Sequence, residues 1–152
     1  MEKAIRSVIS SGITVVISAG NEGNNASWCS PANVAEGITV GAVDKFGWRS
    51  VWDTNNVNVS SNFGSSVDII APGTSVPATK WYGNMNNKQF VPGFFNGTSA
   101  AAPLVTGVVA QYLQANPNAT SEQVQSWIKN NATQGIVSGF TTDTPNRFLF
   151  SY

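Results

Sequence analysis

The sequence predicts an α/β fold built around a parallel sheet. Two short runs, residues 13–17 and 37–43, are apolar almost throughout, as expected of strands that are covered on both faces. Elsewhere, apolar residues recur at spacings of three and four, which is the period of a helix. Strands that alternate with helices favour a parallel sheet. With 152 residues, 41% of them hydrophobic, and no internal repeat, the chain is expected to form one domain.

The predicted strands are separated by long polar stretches. The first two strands, residues 13–17 and 37–43, are followed by a polar, tryptophan-containing stretch at 47–62. A third strand covers residues 67–70, with Asp68 near its start. A second polar stretch, residues 81–89, then leads through Phe90 and Val91 to a loop that contains Ser99.

Three helices are predicted from their apolar spacing. The first covers residues 2–11 and the second residues 98–115, which Asn116 and Pro117 end. The third begins at Ser121 and is amphipathic. The apolar positions of the three helices are Ala4, Ile5, Val8 and Ile9; Leu104, Val105, Val108, Val109, Tyr112 and Leu113; and Val124, Trp127 and Ile128.

Ser99 is the first candidate for chemistry. It lies in the segment Asn-Gly-Thr-Ser-Ala-Ala-Ala-Pro (residues 96–103), at the first turn of the second predicted helix. Free N–H groups and the positive end of the helix dipole favour an oxyanion there. A serine nucleophile needs a base, normally histidine, and the sequence contains none. The alternative is a helix cap followed by a small-residue packing face.

Asn21 is the second candidate. It follows the apolar strand 13–17 in the glycine turn Ala-Gly-Asn-Glu-Gly (residues 19–23). Its amide is able to donate a hydrogen bond to a substrate oxyanion. Alternatively it is a turn residue, since asparagine tolerates left-handed backbone. The turn is neither Gly-x-Gly-x-x-Gly nor a P-loop, which excludes a nucleotide-binding interpretation.

Together these segments resemble the subtilisin-like serine proteases. In that family a strand ending in Ala-Gly-Asn precedes a Gly-Thr-Ser-x-Ala-x-Pro segment, as it does here. Further segments match in the same order, and several resemble the proteinase K and aqualysin branch. These segments cover residues 30–32, 38–42, 61–64, 67–74, 112–117, 130–133 and 145–149, the last resembling the closing strand of the catalytic domain.

The resemblance implies the C-terminal portion of the subtilisin-like three-layer fold, with residues 1–152 forming part of a catalytic domain. It implies Ser99 as the nucleophile and Asn21 as an oxyanion donor, together with the N–H of Ser99. Substrate would contact the residues around these two, namely Ala19, Gly20, Gly97 and Thr98. The family's catalytic Asp and His precede these motifs, and no matching segment is present. The chain alone is therefore expected to be inactive and to need the missing N-terminal half as its partner.

Similarity to proteinase K also implies a structural calcium ion, although the chemistry itself requires no cofactor. The ligands would be the carboxylate of Asp68 and backbone carbonyls near Ala35 and Gly37. Hard cations do prefer such oxygen ligands. The alternative role of Asp68 is to cap the strand or to make a hydrogen bond in the core.

Composition narrows the possible partners. The formal net charge is zero and there is no basic run, so nucleic acid is not an expected partner. No stretch approaches the length of a membrane span, and the N-terminus lacks a signal-peptide pattern. The resemblance nevertheless implies an extracellular full-length enzyme that acts on peptides and proteins. The alternative is a catalytically inactive remnant or peptide-binding module of the same fold.

Overall fold

A computed structural model describes residues 1–53, 59–84 and 87–150 of the chain. Within these ranges there are three α-helices, in the positions that the sequence predicts: α1 Glu2–Ser10, α2 Thr98–Ala115 and α3 Ser121–Asn131. A short 3-10 helix covers Ala26–Trp28. The strands are β1 Val16–Ser18, β2 Ile38–Val43, β3 Ile69–Pro72, β4 Val76–Asn84, β5 Asn87–Phe95, β6 Thr133–Gln134 and β7 Arg147–Phe148.

The predicted parallel sheet is present, with strand order β1-β2-β3-β7-β6. Strands β1, β2, β3 and β7 pair in parallel, and only the short β6 is antiparallel to its neighbour β7. Strand β1 begins later than the predicted residue 13, because Val16 pairs with Ile38, where β2 begins. Parallel order places the ends of β1, β2 and β3 at the same edge of the sheet.

The two faces of the sheet carry separate apolar clusters. On one face α2 and α3 cover β2 and β3, with Val105 and Val124 fully buried against Ile38 and Ile69. The other face is covered by residues from the 3-10 helix and from loops, among them Ala26, Ala32 and Val137. Leu104 was expected on the buried face of α2, but 37% of it is exposed. The helix α1 buries none of its residues in this chain.

A β-hairpin takes the place of the second predicted polar stretch. Strands β4 and β5 pair in antiparallel register from Val76 opposite Phe95 to Asn84 opposite Asn87, apart from the main sheet. Pro77 and Pro92 interrupt the strand pattern, so the local signal for strands is weak there. The first polar stretch, 47–62, lies partly outside the described residues.

Candidate active site

Ser99 lies in the first turn of α2, where the sequence places it. The helix begins after Gly97, whose φ of +136° is one that residues with side chains rarely adopt. The Gly97 N–H donates to the carbonyl oxygen of Gly73 at 2.9 Å, so the end of β3 holds the start of α2. Ser99 is exposed, whereas its neighbours Thr98 and Ala100 are buried. The hydroxyl of Ser99 is therefore accessible on a helix start that is itself fixed.

Asn21 reaches this helix start from the end of β1. Its Oδ1 accepts hydrogen bonds from the Thr98 N–H at 2.9 Å and from the Thr98 hydroxyl at 2.8 Å. Asn21 therefore caps α2 from 77 residues away along the chain, in place of a local side-chain cap. Because a backbone N–H can only donate, the atom facing Thr98 must be the amide oxygen.

This orientation directs the other half of the amide toward the serine loop. A Cβ atom built on Gly97 would lie 3.5 Å from the Nδ2 of Asn21, so that nitrogen borders the backbone two residues before Ser99. Nδ2 makes no hydrogen bond to another described residue. The two NH donors of this amide are thus left beside the first turn of α2, where a developing negative charge is favoured.

Thr98 links Asn21 to the turn that follows β1. Its side chain is fully buried, and its hydroxyl accepts a 3.2 Å hydrogen bond from the Gly20 N–H while donating to Asn21. The resemblance implied substrate contact for Thr98; the side chain instead holds Asn21, and contact through its backbone stays a prediction. Gly97 is also buried, with its N–H engaged by Gly73.

Asn62 holds the Asn21 turn from the opposite side. This fully buried side chain accepts hydrogen bonds from the N–H groups of Glu22 and Asn24 at 3.1 and 2.9 Å. Its Nδ2 donates to the Ala19 carbonyl at 2.8 Å and to Glu22 Oε2 at 3.1 Å. The same Oε2 accepts from the Asn21 N–H at 2.8 Å. The Asn62 segment resembles the family in sequence, but no local pattern indicates a role for this residue.

Ala19 and Gly20, for which the resemblance implied substrate contact, lie in this turn. Ala19 is fully buried, whereas Gly20 is partly exposed and has a φ of +104°. A Cβ atom on Gly20 would collide with the Nδ2 of the buried Asn62, so glycine is required there by space as well as by backbone conformation. Substrate contact at these two residues remains a prediction.

An open depression of about 500 Å³ lies beside Ser99, between β1 and α2. A second one of about 520 Å³ shares Val16 and Thr106 with it and continues along the same side of α2. The first depression carries no titratable side chain among the described residues. Besides Ser99 it is lined by Val16, Ser18, Ala102, Pro103 and Thr106.

The proposed calcium ligands lie elsewhere, next to α3. The carbonyl oxygens of Ala35 and Gly37 accept hydrogen bonds from Gln125 Nε2 at 2.9 and 2.6 Å. Oδ1 of Asp68 lies 2.7 Å from the Nζ of Lys129, and its Oδ2 accepts from the Thr39 N–H at 2.8 Å. The described part of the chain contains no group of three or more His, Cys, Asp or Glu side chains that could hold a metal ion.

The chain matches the model of the subtilase family (peptidase S8) over residues 1–150. It is 36% identical over 151 residues to an extracellular serine proteinase of Thermus sp. (strain Rt41A), a match that covers 99% of this chain and 34% of that protein. It is 38% identical over 148 residues to an alkaline proteinase of Hapsidospora chrysogena, covering 97% and 33%. The chain therefore spans about a third of the length of these curated relatives.

The fold is also that of solved proteinases. The crystal structure of a cold adapted subtilisin-like serine proteinase matches with a TM-score of 0.83 and 32% sequence identity, covering 99% of this chain and 50% of the other. The predicted fold class is thereby confirmed. Among the described residues, no helix has the length and apolar character needed to cross a bilayer.

Proposed function

The chain belongs to the subtilase family, and we propose that it carries the nucleophile and oxyanion site of a subtilisin-like serine endopeptidase. Ser99 is the nucleophile, and the Nδ2 of Asn21 is one of the two oxyanion donors. The N–H of Ser99 is the other, since a first-turn N–H has no acceptor within its helix. The substrates are peptides and proteins. Serine proteinase activity in the named relatives supports this assignment.

The observation that carries the proposal is the double hydrogen bond from Thr98 to the Oδ1 of Asn21. A turn residue would need no such bond, whereas an oxyanion donor must be fixed before the charge develops. These two hydrogen bonds fix the Asn21 amide beside Ser99, the residue that would attack. Attack by the Ser99 Oγ on a peptide carbonyl would place the new negative charge between Nδ2 and the Ser99 N–H. Collapse of this intermediate would break the C–N bond and release the amine, which takes the proton that the base removed from Ser99. Water would then hydrolyse the acyl-enzyme.

The proton of Ser99 must pass to a base that these 152 residues lack, since they contain no histidine. We assign that base to a partner segment corresponding to the N-terminal half of the family's catalytic domain. The two depressions along β1 and α2 support this, because the first borders Ser99 and the second continues from it along a mostly apolar surface. The chain alone is inactive in this proposal. The Thermus relative, which is named an extracellular proteinase, supports secretion of the full-length enzyme.

The proposal is tested by comparing this chain with a fusion to the preceding catalytic-domain segment of the Thermus relative. On a peptide anilide, the chain alone should show no turnover. The loss from a missing base is about a millionfold, a figure taken from subtilisin itself rather than from this structure. The fusion should be active and should react with phenylmethylsulfonyl fluoride, and its Ser99→Ala variant should do neither.

Two outcomes would contradict the assignment. Turnover by the chain alone that Ser99→Ala abolishes would show that the base lies within these residues. A folded fusion that binds peptide but neither turns it over nor reacts with the inhibitor would indicate a peptide-binding module instead. A fusion carrying both Ser99→Ala and the relative's intact segment serves as the matched control for contaminating protease.

A further inference from the structure

Helix α3 presents two polar side chains to the loop before β2 and to the start of β3. Gln125 and Lys129 are four residues apart, so they lie on one face of the helix, about 6 Å apart along its axis. Gln125 contacts the loop at Ala35 and Gly37, and Lys129 contacts Asp68. Ala35, Gly37 and Asp68 are the residues for which the family resemblance implied a calcium site.

Gln125 donates hydrogen bonds to both backbone carbonyls, those of Ala35 and Gly37. Its Nε2 is 2.9 Å from the Ala35 oxygen and 2.6 Å from the Gly37 oxygen. A primary amide has two N–H donors, so one nitrogen is able to satisfy two acceptors at once. The two carbonyls therefore have a donor supplied by the chain itself.

Lys129 supplies a positive charge to the carboxylate. Its ammonium lies 2.7 Å from Asp68 Oδ1, and the side chains of Lys129 and Asp68 are only 26% and 13% exposed. Oδ2 is engaged by the Thr39 N–H. A pair this far from water is screened less than a surface ion pair, and the second hydrogen bond offsets part of the cost of burying the carboxylate.

The residues present do not fit a calcium ion. Calcium takes six to eight oxygen ligands, and here the three expected donors already face two nitrogen groups. A divalent cation at this place would also meet the charge of Lys129. Binding would require both side chains of α3 to leave.

We propose that Gln125 and Lys129 replace a metal ion at this position. Together they form what we call the α3 clamp: two side chains of one helix that tie the 35–37 loop and the start of β3 to α3. The ammonium provides the charge that a cation would bring to Asp68, and the amide provides the contacts that it would make with the carbonyls. The packing of α3 against β2 and β3 is consequently independent of calcium.

The test measures calcium binding and local hydrogen exchange on the fusion, because the chain alone is expected to be loosely packed. Equilibrium dialysis compares the fusion with its Asp68→Asn variant in CaCl2 up to about 10 mM, above the ~10⁻⁴–10⁻³ M dissociation constants of weak extracellular calcium modules. The two proteins are expected to bind the same amount of calcium. Exchange of the peptides that cover 35–39 and 121–131 should be the same in EDTA and in CaCl2. Saturable calcium binding that slows this exchange and is lost in Asp68→Asn would overturn the proposal.

A pair of variants tests the clamp itself. Lys129→Met removes the charge but keeps an unbranched side chain, and it should speed exchange in 35–39 and 121–131 roughly tenfold, between the effects of exposed and fully buried pairs. Lys129→Arg keeps the charge and should stay within about twofold of the parent chain. Equal exchange in all three proteins would refute the clamp. If Lys129→Met speeds exchange throughout the protein, the calcium-binding measurement on the parent protein decides between the clamp and a metal site.

Discussion

At the scale of single residues, Thr98 determines whether Asn21 is a fixed donor or a mobile amide. The backbone N–H of Thr98 would hold the Asn21 oxygen even without the hydroxyl. The hydroxyl adds a second bond and also satisfies the Gly20 N–H. Thr98 touches none of the reacting atoms in this arrangement, so its role is to position Asn21.

Replacing Thr98 with valine in the active fusion is expected to lower kcat roughly five- to tenfold with little change in KM. The variant keeps the shape of the side chain but loses the hydrogen bond to Asn21, worth about 1 kcal/mol, and the acceptor of the Gly20 N–H. Thr98→Ser retains the hydroxyl and should recover activity to within about twofold. A loss confined to KM, or no recovery in Thr98→Ser, would argue against positioning. The measurement is of kcat and KM, with enzyme concentration set by active-site titration.

Asn21→Ala in the same fusion should lower kcat roughly a hundred- to a thousandfold and leave KM largely unchanged. The donor acts mainly as charge develops on the carbonyl oxygen, so its loss falls on the transition state. The magnitude is that known for this donor in subtilisin itself. If Asn21 only formed a turn, stability would fall while turnover per titrated site stayed constant. Asn24→Ala, which alters an exposed asparagine of the same loop, is the matched control.

The sequence indicated Ser99 and Asn21 as candidates because each lies in a contiguous motif. It did not identify the contacts of Asn62 and Glu22, which hold the Asn21 turn. Asn62 is 40 residues from Glu22 along the chain, and no local pattern connects them. Likewise, Lys129 lies far from Asp68 in sequence, so a match at Asp68 suggested calcium where the structure places an ammonium. Long-range polar pairs are set by the packing of elements, not by short motifs.

At the scale of elements, periodicity predicted helices better than strands. The predicted helix 98–115 coincides with α2, because apolar residues at spacings of three and four continue through its whole length. The hairpin of β4 and β5 was not predicted. Its strands contain prolines and glycines, and its stability comes from pairing along nine residues rather than from local pattern.

Helix α3 begins with a capping box, which gives a prediction about its stability. Thr120 Oγ1 accepts from the Gln123 N–H at 3.2 Å, while Gln123 Oε1 accepts from the Thr120 N–H at 2.8 Å. Thr120→Ala should destabilise α3 by about 1 kcal/mol, which corresponds to roughly fivefold faster amide exchange in residues 121–131. Thr120→Ser keeps the cap and should change exchange little. Unchanged exchange in Thr120→Ala would show that packing alone fixes the helix start.

At the scale of the whole molecule, one side of the structure lacks a covering layer within the described residues. Strand β1 is at the edge of the sheet, and Ile13 just before it is 57% exposed. On the adjoining side of α2, Pro103 and Ala110 are exposed. A helix that is apolar on nearly all sides is typical of a buried position. An open strand edge beside an apolar helix face is a surface on which chains associate.

The chain alone is therefore expected to be associated or loosely packed at micromolar concentration. Light scattering after size exclusion should give a mass above 16.1 kDa, or the chain should bind a hydrophobic dye and unfold without a sharp transition. Placing lysine at Ile13 and Ala110 together should reduce association, because both residues line the depression between the strand edge and α2, and charge on an exposed edge blocks pairing. Phe46→Ser removes an aromatic that is 74% exposed on another surface and should have no such effect. A monomer with a sharp, concentration-independent thermal transition would show that these residues fold without a covering layer.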